Sequence, residues 1–170
     1  MSSSLLSLVR PVFLVFLLAV VAGPGVAAAK GKSLAGFAGS GSGLILISQG
    51  EVSVVGNANP KVKASAKAAK FTLKCTINNV SATQVISLRK GRATVSHLLP
   101  GLSGFEASAS GTYRVGGGKV RATLPFGSGS SAGTLYIQID TTPFGATLRV
   151  SSQILYTNGT PPIYATVIAN

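Results

Sequence analysis

From Leu44 to the end of the chain, apolar and polar residues alternate with a period of two, in short runs broken by Gly, Pro and Asn. That period belongs to strands with one face in a core and the other in water. No helical period persists for ten residues. Leu44 to Ser48 is an apolar run, Gln49-Gly50 turns the chain, and Glu51 to Val55 alternates with Val52 and Val54 on one face. Asn57 to Pro60 reads as a loop.

The stretch from Lys61 to Ile77 is the most informative. Val62, Ala64, Ala66 and Ala68 share even positions, whereas Phe71, Leu73, Cys75 and Ile77 share odd ones. The phase slips by one near Ala68-Ala69. A one-residue slip exchanges the faces of a strand, so either a β-bulge or a tight bend must stand there. Lys61, Lys63, Lys67, Lys70 and Lys74 then fall together on the polar side as a candidate polyanion-binding stripe. The plainer reading is a solvated face whose lysines guard against aggregation.

Further along, Gln84 to Leu88 and Arg92 to Leu98 flank Arg89-Lys90-Gly91, which suits a hairpin. Gly104 to Val115 alternates, with Phe105, Ala107, Ala109, Tyr113 and Val115 on one face. Gly116-Gly117-Gly118 turns into Lys119 to Phe126. Thr134 to Asp140 places Leu135, Ile137 and Ile139 inward, and Leu148, Val150, Ile154 and Tyr156 follow on one side of the next segment. Ile163 to Ile168 closes the chain. About ten short strands joined by short turns predict an all-β fold, a single antiparallel sandwich or barrel-like domain. Phe71, Leu73, Cys75, Leu124, Ile137, Ile139 and Leu148 are its expected core. The β domain spans 44–170, and the Gly/Ser/Lys-rich segment 30–43 reads as a flexible arm, with a short strand around Leu34 to Ala38.

Before that arm the pattern changes. Arg10 is followed by an apolar stretch, Val12 to Ala22, then the helix-breaking Gly23-Pro24-Gly25 and the small residues Ala27 and Ala29. Residues 1–29 therefore read as a cleaved secretory signal peptide, which predicts a secreted or extracytoplasmic product beginning near Lys30. The competing reading is an uncleaved anchor, since no charge falls between Arg10 and Lys30 and a bilayer core is only about 30 Å thick.

Charge and chemistry narrow the function. The chain has 15 Lys and Arg against 3 Asp and Glu, a net charge of +12. Such an excess favours anionic polymers or a cell-envelope component as partners, and it also serves solubility. Aromatic residues are sparse and Trp is absent, which weakens the case for specific nucleic-acid binding by base stacking. A single cysteine, Cys75, excludes a disulfide within the chain.

No catalytic, cofactor or metal site is expected. One His and one Cys fall short of a structural zinc set, and the glycines show no phosphate-binding frame. Cys75, between Leu73 and Ile77, reads as a small buried hydrophobe, and His97 as a hydrogen-bonded boundary residue. Asn79 and Asn158 each begin an N-x-[ST] motif, meaningful only in a eukaryotic source. The leading expectation is a non-enzymatic exported β-domain with a binding or structural role. The alternatives are a small outer-membrane-type β-barrel, which shares the period-two signal, and a secreted hydrolase using Glu106 and Asp140 as a carboxylate pair.

Overall fold

The computed structural model describes residues 33–100, 107–141 and 147–170. The expected signal segment, Phe105 and Glu106 lie outside the described residues. Strands β1 (Gly39–Ser40), β2 (Gly43–Gln49), β3 (Val52–Ala64), β4 (Ala68–Ile77), β5 (Val80–Arg89) and β6 (Arg92–Val95) are followed by β7 (Ala109–Gly116), β8 (Lys119–Phe126), β9 (Gly133–Thr141), β10 (Leu148–Tyr156) and β11 (Ile163–Ala169). From β2 onward each strand pairs antiparallel with the next, and β11 returns to β2. The result is a closed, ten-stranded, up-and-down barrel, the second of the two architectures expected.

Closure depends on the long β3. Its first half pairs with β2 and its second half with β4, while Asn57 and Ala58 pair with both. The register row that starts at Ala68 runs through Arg89, Arg92, Thr112, Thr123, Tyr136, Gln153, Tyr164 and Ser48 and re-enters β3 at Ser53. Ser65 faces Ala68 across the β3–β4 bend, so the row comes back twelve residues out of step. Such an offset tilts the strands by roughly 35–45° to the barrel axis.

The period-two pattern turns its apolar half inward. Ile45 and Ile47 of β2, Phe71, Leu73 and Cys75 of β4, Leu124 of β8, Leu135, Ile137 and Ile139 of β9, and Val150 and Ile154 of β10 are buried. Six of the seven expected core residues are among the buried set, while Leu148 is half-buried against its rim. A side chain at Gly111 would collide with the carbonyl oxygen of Thr123 on β8, so only glycine permits this approach of β7 to β8.

Several local expectations are corrected. Asn57 to Pro60 is not a loop but the middle of β3. Pro60 lies opposite the break between β1 and β2, where its carbonyl oxygen accepts from Gly41 N–H. A strand tolerates proline where no ladder donor is required. The phase slip is a bend, not a bulge: Ser65 N–H donates to the Ala68 oxygen at 2.8 Å, and Ala66 is exposed instead of facing the core. Val52 shares the face of Val54, as the alternation requires, but as the first residue of β3 it is exposed. The β4–β5 hairpin turns at Asn78 and Asn79, both at positive φ (48° and 64°), the geometry of a two-residue I′ turn. This turn extends β5 back to Val80, four residues before the expected start at Gln84.

Both barrel ends are covered. At the end carrying the β3–β4 and β5–β6 turns, the described part of the segment expected as a flexible arm, residues 33–43, packs against the barrel. Leu34 and Phe37 are buried, and the Phe37 ring meets Phe71 edge-on at 6.1 Å. Leu34 N–H donates to the Ala66 oxygen, and β1 pairs with β3. The two apolar side chains explain the docking, because leaving them in water would forfeit their burial. At the other end residues 96–100 turn inward after β6, with Leu98 and Leu99 buried. Gln84, fully buried, donates through Nε2 to the oxygens of His97 and Leu98 at 2.8 and 3.1 Å.

Candidate anion-binding surface

The outer face of the barrel is divided by charge. Twelve Lys and Arg residues fall among the described residues, and all but Arg149 lie on β3 to β8 or in their turns. The opposite side, β9 to β11 with β2, carries polar and apolar groups instead.

The five lysines singled out in the sequence come together. Lys61 and Lys63 point outward from β3, Lys70 and Lys74 from β4, and Lys67 sits in the bend between them, all exposed. Lys63 and Lys70 are direct register partners, while Lys61 stands beside Thr72 and Lys74 beside Asn59. Same-face neighbours along a strand are about 6.6 Å apart, twice the rise per residue. The lysines therefore form a compact two-stranded field, broader than the single stripe expected.

Register shows something the linear sequence hides. Arg89 faces Arg92 across β5–β6, and Arg114 faces Arg121 across β7–β8. Together with Lys63 and Lys70, three like-charge pairs stand directly opposed on one half of the barrel. Like charges in that position destabilise a sheet. The described acids lie elsewhere: Glu51 in the β2–β3 turn, and Asp140 on β9, where it meets Lys119 Nζ at 3.9 Å and accepts from Gln138 Nε2 at 3.0 Å.

Among the described residues, the groups considered for catalysis are not gathered. No second carboxylate among the described residues approaches Asp140, and Glu106 lies outside them. His97 shares a hydrogen bond between Nδ1 and Ser96 Oγ at 3.0 Å. Cys75 is buried on β4, and burial pushes its thiol up to about 12, which suppresses the thiolate that nucleophilic or metal chemistry needs. Among the described residues no three His, Cys, Asp or Glu side chains cluster as a metal site. Of the N-x-[ST] asparagines, Asn79 is exposed at its hairpin tip. Asn158 is engaged, donating through Nδ2 to the Ser130 oxygen and accepting from Thr160 N–H.

Outward residues that the sequence reading did not single out complete the surface. Tyr136 and Tyr164 project from β9 and β11, and Leu44, Leu46, Val55 and Ile168 are exposed around β2. Leu44 faces Ile168 and Leu46 faces Val55. The signal was present in β2, whose run Leu44-Ile45-Leu46-Ile47 is apolar on both faces.

The fold and this surface define a closed up-and-down barrel with an apolar interior and one basic half. No protein-family model matches the chain, and comparison with curated proteins and with solved structures finds no match.

Proposed function

We propose that the protein is an exported, non-enzymatic barrel that binds anionic polymer, such as a cell-envelope component, through the lysine field of β3 and β4. The observation that carries this reading is the opposition of Lys63 and Lys70 inside a five-lysine cluster. The arrangement costs stability in the free barrel, and an anionic chain laid over it would convert the repulsion into attraction. Each exposed contact is weak by itself, so affinity comes from several ammonium groups meeting one chain.

An outer-membrane-type barrel is the less favoured reading. A lipid-facing barrel needs an outward apolar band around a polar lumen, whereas here the apolar set points inward and cations line half of the outside. For a hydrolase, Asp140 is already engaged by Lys119 and Gln138. Export rests on the N-terminal pattern, and mass spectrometry of the secreted product should find a chain beginning near Lys30. A membrane-held product retaining residues 1–29 would favour the anchor.

The test of binding is retention on immobilised heparin over a salt gradient. Changing Lys61, Lys63, Lys67, Lys70 and Lys74 to Gln should release the protein at clearly lower salt than changing Arg89, Lys90, Arg92, Lys119 and Arg149, five cations outside the lysine field. Both variants lose five charges, so equal shifts would mean that net charge alone acts and that the lysine field has no special role.

A further inference from the structure

The outward row that carries the exposed aromatics lies beside a second row that ends in arginines. Tyr136, Gln153 and Tyr164 are register partners on β9, β10 and β11. The two phenols are 41% and 47% exposed and stand two strand spacings apart, about 9.6 Å. Gln153 Nε2 donates to the Tyr164 hydroxyl at 3.2 Å, which sets the amide between the rings. The adjacent row holds Thr166, Ser151, Gln138, Arg121 and Arg114 in register. Gln138 Oε1 accepts from Arg121 Nε at 3.3 Å while its Nε2 donates to Asp140. That chain of bonds leaves the terminal fork of Arg121 unused by the groups that orient it. A shallow groove runs between the two rows, from Tyr164 to Arg121.

We infer that this groove binds an acidic polysaccharide in which charged and neutral sugars alternate. The sugar rings would lie on Tyr136 and Tyr164, with acid groups reaching Arg121 and Arg114. Three features select that chemistry. The phenol faces offer flat apolar platforms for the C–H face of a sugar ring. The amides of Gln138 and Gln153 and the hydroxyls of Ser151 and Thr166 both donate and accept, as recognition of hydroxyl groups requires. The charge distribution matches in turn: no cation stands in the row of the tyrosines until Arg92, while guanidinium forks suited to carboxylates lie at one end. A nucleic acid or polyphosphate, charged at every unit, would leave its charges unmatched over the tyrosines. This inference goes beyond the lysine-field reading: it adds a second site, on β8 to β11, to the same barrel.

The experiment uses the chain expressed from its full sequence, with hyaluronan and inorganic polyphosphate as probes at one ionic strength. Tyr136→Ala combined with Tyr164→Ala should weaken hyaluronan binding about tenfold, equivalent to about 1.4 kcal/mol, and leave polyphosphate binding unchanged. Phe at both positions should restore most of the hyaluronan binding, since the rings remain. The five-lysine variant should lose polyphosphate binding. If the Ala pair bound hyaluronan as the parent does while the lysine variant lost both probes, the groove would be overturned and the lysine field would stand. Equal loss of both probes in the Ala pair would overturn sugar recognition too, and a parent that bound neither would overturn both readings.

Discussion

Cys75 shows how position decides the chemistry of a side chain. It lies on the inward face of β4 between Leu73 and Ile77, and burial raises its thiol pKa from 9.0 to about 12. A folded pKa above the unfolded one stabilises the fold fully below pH 9, and that contribution is lost as pH rises from about 9 toward 12. The stability of the parent should therefore fall more steeply across that window than that of Cys75→Ala, as read from urea midpoints at a series of pH values. A thiol reagent at neutral pH should modify Cys75 only when urea opens the barrel. Leu73 and Leu148 provide a graded comparison. Leu73 is 1% exposed, whereas Leu148 is only half-buried at the rim. Leu73→Ala should cost about 2–5 kcal/mol, and Leu148→Ala distinctly less; equal losses by denaturant titration would contradict this placement of the core boundary.

The β3–β4 hairpin is the element in which stability and proposed function pull apart. Its inward face carries Val62, Ala69, Phe71, Leu73 and Cys75, and its outward face carries the lysines. Lys70→Glu would replace an opposed like-charge pair with an attractive one. The expected result is a gain of about 0.2–1 kcal/mol, at the low end because the pair is exposed. The same change should release the protein from heparin at lower salt. A loss of stability in Lys70→Glu would show that Lys63 and Lys70 do not oppose each other as the register requires. Hairpin turns also limit what the elements can be. Lys90 and Gly91 occupy positive φ (50° and 78°), where Lys is tolerated and Asn is preferred.

At the scale of the whole molecule, a basic half and a neutral half share one closed sheet. Cations crowded on β3 to β8 repel one another in the folded state, and salt screens that repulsion. Raising salt from low to physiological strength should raise the melting midpoint of the parent, and raise it less for the five-lysine variant. The same salt should weaken heparin retention, so stability and binding are expected to move in opposite directions. Salt-independent melting in both proteins would mean that the cations stand too far apart to interact. The N-terminal cover belongs to this scale as well. Phe37→Ala removes the ring that packs edge-on against Phe71, and a cost of about 3–5 kcal/mol is expected for a buried phenylalanine, measurable by denaturant titration.

Period-two alternation was enough to establish strands, their inward faces and most of the core, because a strand's side chains alternate whatever the strand pairs with. Leu73, Leu124, Ile137 and Ile139 could be named for that reason, and the outward lysines of β3 and β4 with them. Where local signals and tertiary context disagreed, context prevailed. Pro60 reads locally as a breaker, but a gap between β1 and β2 lets it sit within a strand. The arm around Leu34 and Phe37 reads as loose because its glycines and serines outnumber its anchors, and only an open barrel end gave those anchors somewhere to pack. Barrel rather than sandwich was decided by the pairing of β11 with β2, a contact between segments more than a hundred residues apart. The opposed pairs Lys63–Lys70, Arg89–Arg92 and Arg114–Arg121, and the row joining Tyr136 to Tyr164, exist only through register. Alternation tells which face a residue takes, but not which residue stands beside it on the next strand.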